Sequence, residues 1–337
     1  MEQVDVAIVG GGPAGSSAAR AAAEQGASPV LIEQGVPRDD RKELGPDSTD
    51  AAGLLDYWFD VMDLDPEMVP EDVVLRELES ATFIGPTERL EIETTGQESR
   101  YEGFGITFHR ARFDDWLRER AETAGADYRV GTGVRSVSSD CSGHENQHVL
   151  QLNDGSEIQT ESLILADGPQ RRVTMNVLDQ FLPSKAASER LSPPRANHIA
   201  YQEYRRFPEE LFDPDSIIFW WGWMPGETAY PWVFPNEDTV ARVGLTLPMA
   251  LDIDEFDRNA YRLLRDEDES IPSGSTYIER LLEAAYPEYE VGDFPIVDDH
   301  GKSGGTETYP ISSTRPIDSP TGAGIAVAGG AMGSTSA

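Results

Sequence analysis

The sequence predicts an α/β protein in which a Rossmann-like, three-layer nucleotide-binding domain carries an inserted antiparallel-sheet α+β domain. Three observations predict it. The chain opens on an apolar run, "QVDVAIV", that turns through "GGGPAG" into an Ala-rich stretch and a second apolar run, "PVLIE". It closes on a similar run and a Gly-rich turn, "GIAVAGGAMG". Between them, from about residue 176, the pattern becomes one of short aromatic and β-branched runs separated by turn signals, the mark of an antiparallel sheet.

Each element follows in order. Residues 3–9 read as a buried parallel strand. Gly10, Gly12 and Gly15 then form G-x-G-x-x-G between that strand and an Ala-rich helix, the context in which the motif binds a dinucleotide. Gly10 allows the tight turn, Gly12 lets the backbone approach a pyrophosphate, and Gly15 lets helix and strand pack closely, while the helix N-terminus offers N–H groups and a positive dipole end. Glu33 ends the second strand, 23 residues beyond Gly10, where it would accept hydrogen bonds from a ribose diol. One unit of like charge about 4 Å away would cost roughly 4 kcal/mol at an effective dielectric of about 20. The site is thus suited to FAD or NAD and not to a 2′-phosphorylated nucleotide.

"GFGITFHRARFDDWLRERAETAGADYRVGTGVRSVSSD" predicts strand, helix and strand, with Phe113, Trp116, Leu117 and Ala121 at helical spacing and Gly125 as C-cap. "HVLQLNDGSEIQT" alternates around Asn153-Asp154-Gly155 as a hairpin, and "SLILADGP" is a buried strand ending in Asp167-Gly168. Further on, "RANHIAYQEYRRF", "SIIFWWGWMP", "TAYPWVFPNEDT" and "VARVGLTLP" predict successive strands, and "DIDEFDRNAYRLLRDEDES" and "STYIERLLEAAY" predict amphipathic helices. The expected domains are 1–75, 103–175 and 300–337 for the first, discontinuous one, and 76–102 and 176–299 for the second. A chain ending on a strand-to-helix turn leaves that helix unformed, so we expect the C-terminus to be truncated.

Composition bounds the function. The 337 residues carry 61 Asp+Glu against 27 Lys+Arg, a formal charge of −34, and the only lysines are Lys42, Lys185 and Lys302. Acid spread along the whole chain suits molar salt, where the Debye length shrinks to about 3 Å and self-repulsion is screened. We read a halophile; an acidic mesophilic protein is the alternative. The charge argues against nucleic acid, whose phosphates need clustered Lys and Arg. Cys141 is the single cysteine, which excludes an internal disulfide or a Cys-rich metal site. "GKS" at 301–303 lacks the glycine that a phosphate loop needs at Ile296, "DLDPEMVPED" lacks a calcium loop's glycine and final Glu, and the five histidines show no ligand spacing. No metal is expected. The N-terminus has no basic signal region and no run reaches 18 apolar residues, so the expected location is cytoplasmic, with peripheral membrane contact left open.

Together, "VAIVGGGPAGSSAA…LIE", "HRARFDDWL", "LILADG" and the terminal Gly-rich turn resemble the glutathione-reductase-type flavoproteins of the p-hydroxybenzoate hydroxylase branch. Within that branch "YPWVFP", residues 230–235, is similar to the Y-x-W-x-F-P signature of the geranylgeranyl reductases, which saturate isoprenoid chains of archaeal lipids and of chlorophyll. The resemblance implies a FAD-binding Rossmann-like domain with an inserted antiparallel-sheet α+β substrate domain. It implies that Gly10, Gly12, Ala14 and Gly15 meet the pyrophosphate of FAD and Glu33 its adenosine ribose. Arg110 would reach FAD, a surface salt bridge being the alternative, and Val134 would meet the adenine. Gly45 would lie in a loop passing the isoalloxazine ring, with Asp167, Gly330 and Ala331 completing the cofactor set. Two departures stand out: Leu44 replaces a frequent Cys, and Gly329-Gly330 replaces the usual Gly-Asp.

The function this implies is a FAD-dependent reduction of isoprenoid double bonds, with electrons from ferredoxin or NAD(P)H and a prenyl lipid as substrate. Tyr230, Trp232 and Phe234 alternate along one strand, so they share a face; with Pro235, Trp221 and Trp223 they are the expected substrate wall. The alternative for these aromatics is the packed inner sheet of the second domain. The alternative functions are a flavin-dependent monooxygenase of an aromatic substrate and a degenerate, non-catalytic flavoprotein. The sequence assigns no catalytic residue.

Overall fold

The structure is a computed structural model that describes residues 1–41, 52–141, 146–181, 197–297 and 321–333, with the backbone of 305–310. The chain forms two compact units. The first comprises Met1–Lys42, Asp114–Asn197 and Thr308–Ala337, and the second Glu43–Phe113 and His198–Glu307.

The first unit is built on an eight-stranded sheet. Strand Glu2–Val9 lies between Glu157–Leu165 and Pro29–Ile32, parallel to both, and Pro29–Ile32 pairs in turn with Asp127–Arg129. Glu157–Leu165 divides its length between two partners. Its first half pairs with the antiparallel hairpin strand Gln147–Leu152, and its last three residues pair with Ile325–Val327. Alternation along the central strand sorts the two faces. Ile8 and Leu31 pack with Ala19 of helix Pro13–Glu24 and Ala121 of helix Arg110–Thr123. Ala7, Val9 and Ile32 face the other way, onto Val137, Leu150 and Leu152 of the meander and Val177 of helix Arg172–Leu178. Helices, parallel sheet and meander are the three layers the sequence predicts. The Asn-Asp-Gly hairpin forms as expected, with Gly155 left-handed at φ 87° and Leu152 N–H donating to Ser156 O.

The second unit contains six strands of a seven-stranded sheet, whose remaining edge strand, Gly305–Pro310, begins in it. Its order is Gly305–Pro310, Asn197–Arg206, Val240–Pro248, Tyr230–Pro235, Ser216–Trp220, Ser80–Ile84 and Arg89–Ile92. Ser216–Trp220 runs parallel to Ser80–Ile84 and antiparallel to Tyr230–Pro235. Helix Gly274–Ala285, N-capped by Ser273, buries Tyr277, Ile278, Leu281 and Leu282 against one face, where they meet Val233, Val243, Leu245 and Trp220.

Two expectations change. The stretch 252–270 forms only 3₁₀ turns, at Ile253–Glu255 and Arg258–Ala260. There the carboxylates of Asp252 and Asp257 accept the N–H groups two residues on, at 3.1 Å each, a local bond that competes with helix. The unit boundaries also differ from the expected domains: residues 43–75, 103–113 and 300–307 group with the second unit, and 176–197 with the first. The cause is a three-stranded sheet in which Gly105–Phe108 pairs with both Gly53–Leu55 and Val74–Leu78. That sheet is tied onward by Thr107 Oγ1 donating to Pro235 O at 2.7 Å and by Arg76 donating to the carbonyls of Asn236 and Asp238.

Candidate functional site

In the first unit the Gly-rich turn assigns each glycine a different task. Gly10 has φ 101°, and a Cβ there would sit 2.2 Å from Ala166 O; its N–H donates to Ile32 O at 2.9 Å. A Cβ on Gly15 would fall 1.8 Å from Gly10 O. Gly12 differs, because a Cβ there meets nothing within 4 Å. It caps helix Pro13–Glu24 from an extended conformation, so its open side leaves the helix N-terminus accessible to an anion.

Gly11, which the motif spacing passes over, is constrained as Gly10 and Gly15 are. A Cβ on it would lie 2.4 Å from the Tyr128 hydroxyl and 2.9 Å from Glu33 Cβ. Its N–H donates to Glu33 Oε2 at 2.6 Å, while Gly35 N–H donates to Oε1 at 2.5 Å. The Glu33 carboxylate is thus fixed by two backbone donors, and each oxygen keeps a lone pair for a ribose hydroxyl. Tyr128 donates to Gly11 O at 2.7 Å, and burial holds its hydroxyl pKa well above the usual range. No signal in the glycine spacing marks Gly11; "DYR" at 127–129 shows only that a Tyr is near.

A groove of about 580 Å³ runs from this turn, and Gly10, Gly12, Glu33, Val134 and Asp167 all line it. The volume is in the range of small-molecule sites, and donors, acid and open cradle fit the adenosine diphosphate half of FAD. Asp167 has a second task. Its carboxylate accepts Val173 N–H at 2.7 Å and Thr174 N–H at 3.1 Å, and the Thr174 hydroxyl as well, fixing the start of helix Arg172–Leu178. The terminal turn, Gly329–Met332, packs on the helix after the Gly-rich turn: a Cβ on Gly329 would be 2.7 Å from Ala14 Cβ. Ala14 is therefore a packing residue of this turn. A side chain at Gly330 would crowd Pro169 N at 3.0 Å, and Ala331 points its methyl into the core, fully buried. These last two offer backbone only. Arg110 opens helix Arg110–Thr123 and belongs to the second unit; Gly45 lies outside the described residues.

The second unit carries the aromatic residues. Tyr230, Trp232 and Phe234 share the sheet face opposite helix Gly274–Ala285, with ring centroids 6.0 and 6.3 Å apart in sequence. Phe219 stands between Tyr230, at 5.8 Å, and Phe234, at 5.6 Å. Phe83 stacks on Phe219 at 5.2 Å and meets Trp221 at 5.1 Å. The six rings form one continuous strip. Gly244 makes room for it: a Cβ there would lie 2.5 Å from Trp232 Cε2 and Cζ2, so the indole lies over the neighbouring strand. Gly53 does the same for Phe234, at 2.8 Å. The Trp232 indole N–H is buried with no acceptor among the described residues, and burial pushes the Tyr230 hydroxyl up to about 12.

Two expected wall residues take other places. Trp223 is buried in the helix-side core, its N–H donating to Gly85 O at 3.1 Å and its ring covered by the Arg262 guanidinium at 4.5 Å. The cause is Gly222, left-handed at φ 73°, which ends the alternation. Pro235 closes its strand, buried, with its carbonyl held by Thr107. Phe83 and Phe219 stand in the same strip, Phe219 within "FWWGW", residues 219–223, the stretch expected as the neighbouring strand, and Phe83 from a segment the sequence reading did not connect with it. Phe219 shares parity with Trp221 and was legible; Phe83 comes from a distant segment through the pairing of Ser80–Ile84 with Ser216–Trp220.

Among the described residues no helix is long and apolar enough to cross a membrane, and no group of three or more His, Cys, Asp or Glu could hold a metal ion. A family model described as "FAD binding domain" matches residues 3–188. Curated relatives include the digeranylgeranylglycerophospholipid reductase of Thermoplasma volcanium, 26% identical over 291 residues, 83% of this chain and 68% of the relative. Digeranylgeranylglycerophospholipid reductase 1 of Methanosphaera stadtmanae is 27% identical over 276 residues, 81% of this chain and 60% of the relative. The chain therefore spans about two thirds or less of these relatives' lengths. Among solved structures, a geranylgeranyl bacteriochlorophyll reductase-like protein from Thermoplasma acidophilum superposes with TM-score 0.70 at 22% identity, over 98% of this chain and 72% of that one. A myxobacterial chondrochloren halogenase superposes at 0.64 and 21%, over 98% and 69%. Both share the fold.

Proposed function

The chain belongs to the FAD-binding-domain family, and from that premise we propose that it is a FAD-dependent oxidoreductase reducing carbon–carbon double bonds of geranylgeranyl chains in membrane-lipid biosynthesis. The observation that carries the reading is the strip of six aromatic rings on one face of the second unit's sheet. An isolated alkene has no polar handle. Its recognition rests on apolar burial, at about 25 cal/mol per Å², and an aromatic face supplies that surface. Relatives named for reducing digeranylgeranyl lipids support the same substrate class.

In this reading Gly10, Gly12, Gly15 and Glu33 hold the dinucleotide, with Val134 and Asp167 along its groove and backbone N–H groups of Gly330 and Ala331 near it. Glu33 refuses a 2′-phosphate, which favours FAD over NADP in this groove. FAD held there and reduced by ferredoxin or NAD(P)H would supply the hydride that saturating an alkene requires, the second hydrogen arriving as a proton. The protein's part is to bind the chain against Tyr230, Trp232 and Phe234, orient it and exclude water. Tyr230 is neutral at neutral pH as any tyrosine is, and burial, which pushes its hydroxyl up to about 12, keeps it uncharged in alkaline solution too. Peripheral contact with the membrane that contains the lipid belongs to the same proposal.

Mass spectrometry of ether lipids tests it, after expression of the gene beside a geranylgeranyl-lipid pathway. Saturation should rise in steps of one double bond. Unchanged unsaturation, with flavin bound to the purified protein, refutes the reading.

A further inference from the structure

The aromatic strip continues past the residues that face Tyr230–Pro235, in register across the sheet. Leu90 pairs with Phe83, Phe83 with Phe219, Phe219 with Trp232, and Trp232 with Gly244. All lie on the face away from helix Gly274–Ala285. Neighbouring strands are about 4.8 Å apart, so the row from Leu90 to Gly244 is roughly 19 Å long. An isoprene unit advances the chain by four bonds, roughly 5 Å when extended with bonds of about 1.5 Å. One unit therefore spans one strand.

The row is graded in exposure. Leu90 is 59% exposed on the edge strand and Trp232 only 3%, with Phe83 and Phe219 between them in both position and burial. Exposed Arg89 and Glu91 flank Leu90. A polar headgroup loses least by staying at that end, since burying it without partners is costly, and the chain extends from there toward the indole over Gly244.

Resting on the function proposed above, we infer that the row is a four-step ruler for an isoprenoid chain. Leu90 meets the unit next to the head, Phe83 and Phe219 the second and third, and Trp232, seated over Gly244, the fourth. The ruler makes Leu90, Phe83 and Gly244 determinants of chain length, none of which touches the nucleotide groove of the first unit.

The test is calorimetric titration of the flavin-loaded protein, in molar salt, with all-trans prenyl alcohols of two, three and four isoprene units. Wild-type affinity should tighten by at least tenfold for each added unit. Leu90→Asp, at an exposed position, should weaken all three probes by a similar factor. Gly244→Ala, which displaces the indole, should erase the gain from the fourth unit and leave the two shorter probes unchanged. Thermal denaturation of each variant reports an intact fold. A wild type that binds none of the probes refutes the proposed function and the ruler with it. A wild type with the length dependence but variants that change nothing, act equally at every length, or show the reverse pattern, refutes the ruler alone. So does Leu90→Asp converting a dimer to a monomer in size-exclusion chromatography with prenyl affinity intact, since the edge would then pair two copies.

Discussion

Substituting alanine separately at two glycines of the nucleotide turn separates packing from binding. At Gly12 the backbone is extended, φ −71° and ψ −175°, a conformation any residue adopts, and a Cβ meets nothing within 4 Å. Gly12→Ala should therefore cost the apoprotein less than about 1 kcal/mol, the scale of a changed N-cap. The methyl instead occupies the side from which a pyrophosphate must reach the helix N-terminus. Flavin affinity should fall at least tenfold, or about 1.4 kcal/mol. At Gly15 the order reverses. The new Cβ would sit 1.8 Å from Gly10 O, whereas contact distances between nonbonded heavy atoms are about 3.5 Å, so helix and turn must part by well over an ångström. Overpacking of that kind costs about 1–3 kcal/mol or more, a fall in Tm of roughly 2–4 °C for a chain of this length. Thermal denaturation of apoprotein and fluorescence titration with FAD measure the two effects independently. Wild-type flavin affinity in Gly12→Ala, or wild-type Tm in Gly15→Ala, would refute the reasoning.

Trp223→Ala should lower stability by about 3–5 kcal/mol through a cavity in the helix-side core, whereas Trp232→Ala should retain flavin and lose prenyl turnover; loss of folded protein in the second variant would make the strip core instead of wall. His198 is held by burial at a pKa of about 4, below its ordinary 6.5, so the unfolded chain takes up a proton the folded one refuses. Its share of stability is complete above about pH 6.5 and is lost as the pH falls toward 4, by at most about 3 kcal/mol; His198→Gln should flatten urea-derived stability over that window, and an unchanged slope would oppose this. With a charge of −34, lowering salt from 1 M to 0.1 M lengthens the Debye length from about 3 Å to about 10 Å. Tm should fall and recover when salt is restored, and a salt-independent Tm would remove the halophile reading.

Legibility in the sequence follows the range of the interaction. The first strand, the glycine turn and its helix were legible because strand period, φ requirement and helix composition act within some 20 consecutive residues. Gly11 was not: its constraint comes from Tyr128, more than a hundred residues away. The unit boundary at 43–113 was hidden for the same reason, since the pairing of Gly53–Leu55 with Gly105–Phe108 leaves no local trace.

Trp223 shows how a correct rule fails on a local detail. Parity puts residues 219, 221 and 223 on one face, and for Phe219 and Trp221 the structure agrees. The strand stops at Trp220, however, and Gly222 turns left-handed, so one backbone torsion sends Trp223 into the opposite core. A glycine inside an aromatic run is therefore evidence about direction as much as flexibility. Gly244 makes the complementary point. It interrupts a β-branched strand, which reads as weakness in sequence, yet its missing side chain is what leaves room for the indole of Trp232 over the neighbouring strand. The wall depends on where side chains are absent as well as on where the rings are, and substitution at Gly244 should alter chain recognition while leaving every aromatic residue in place.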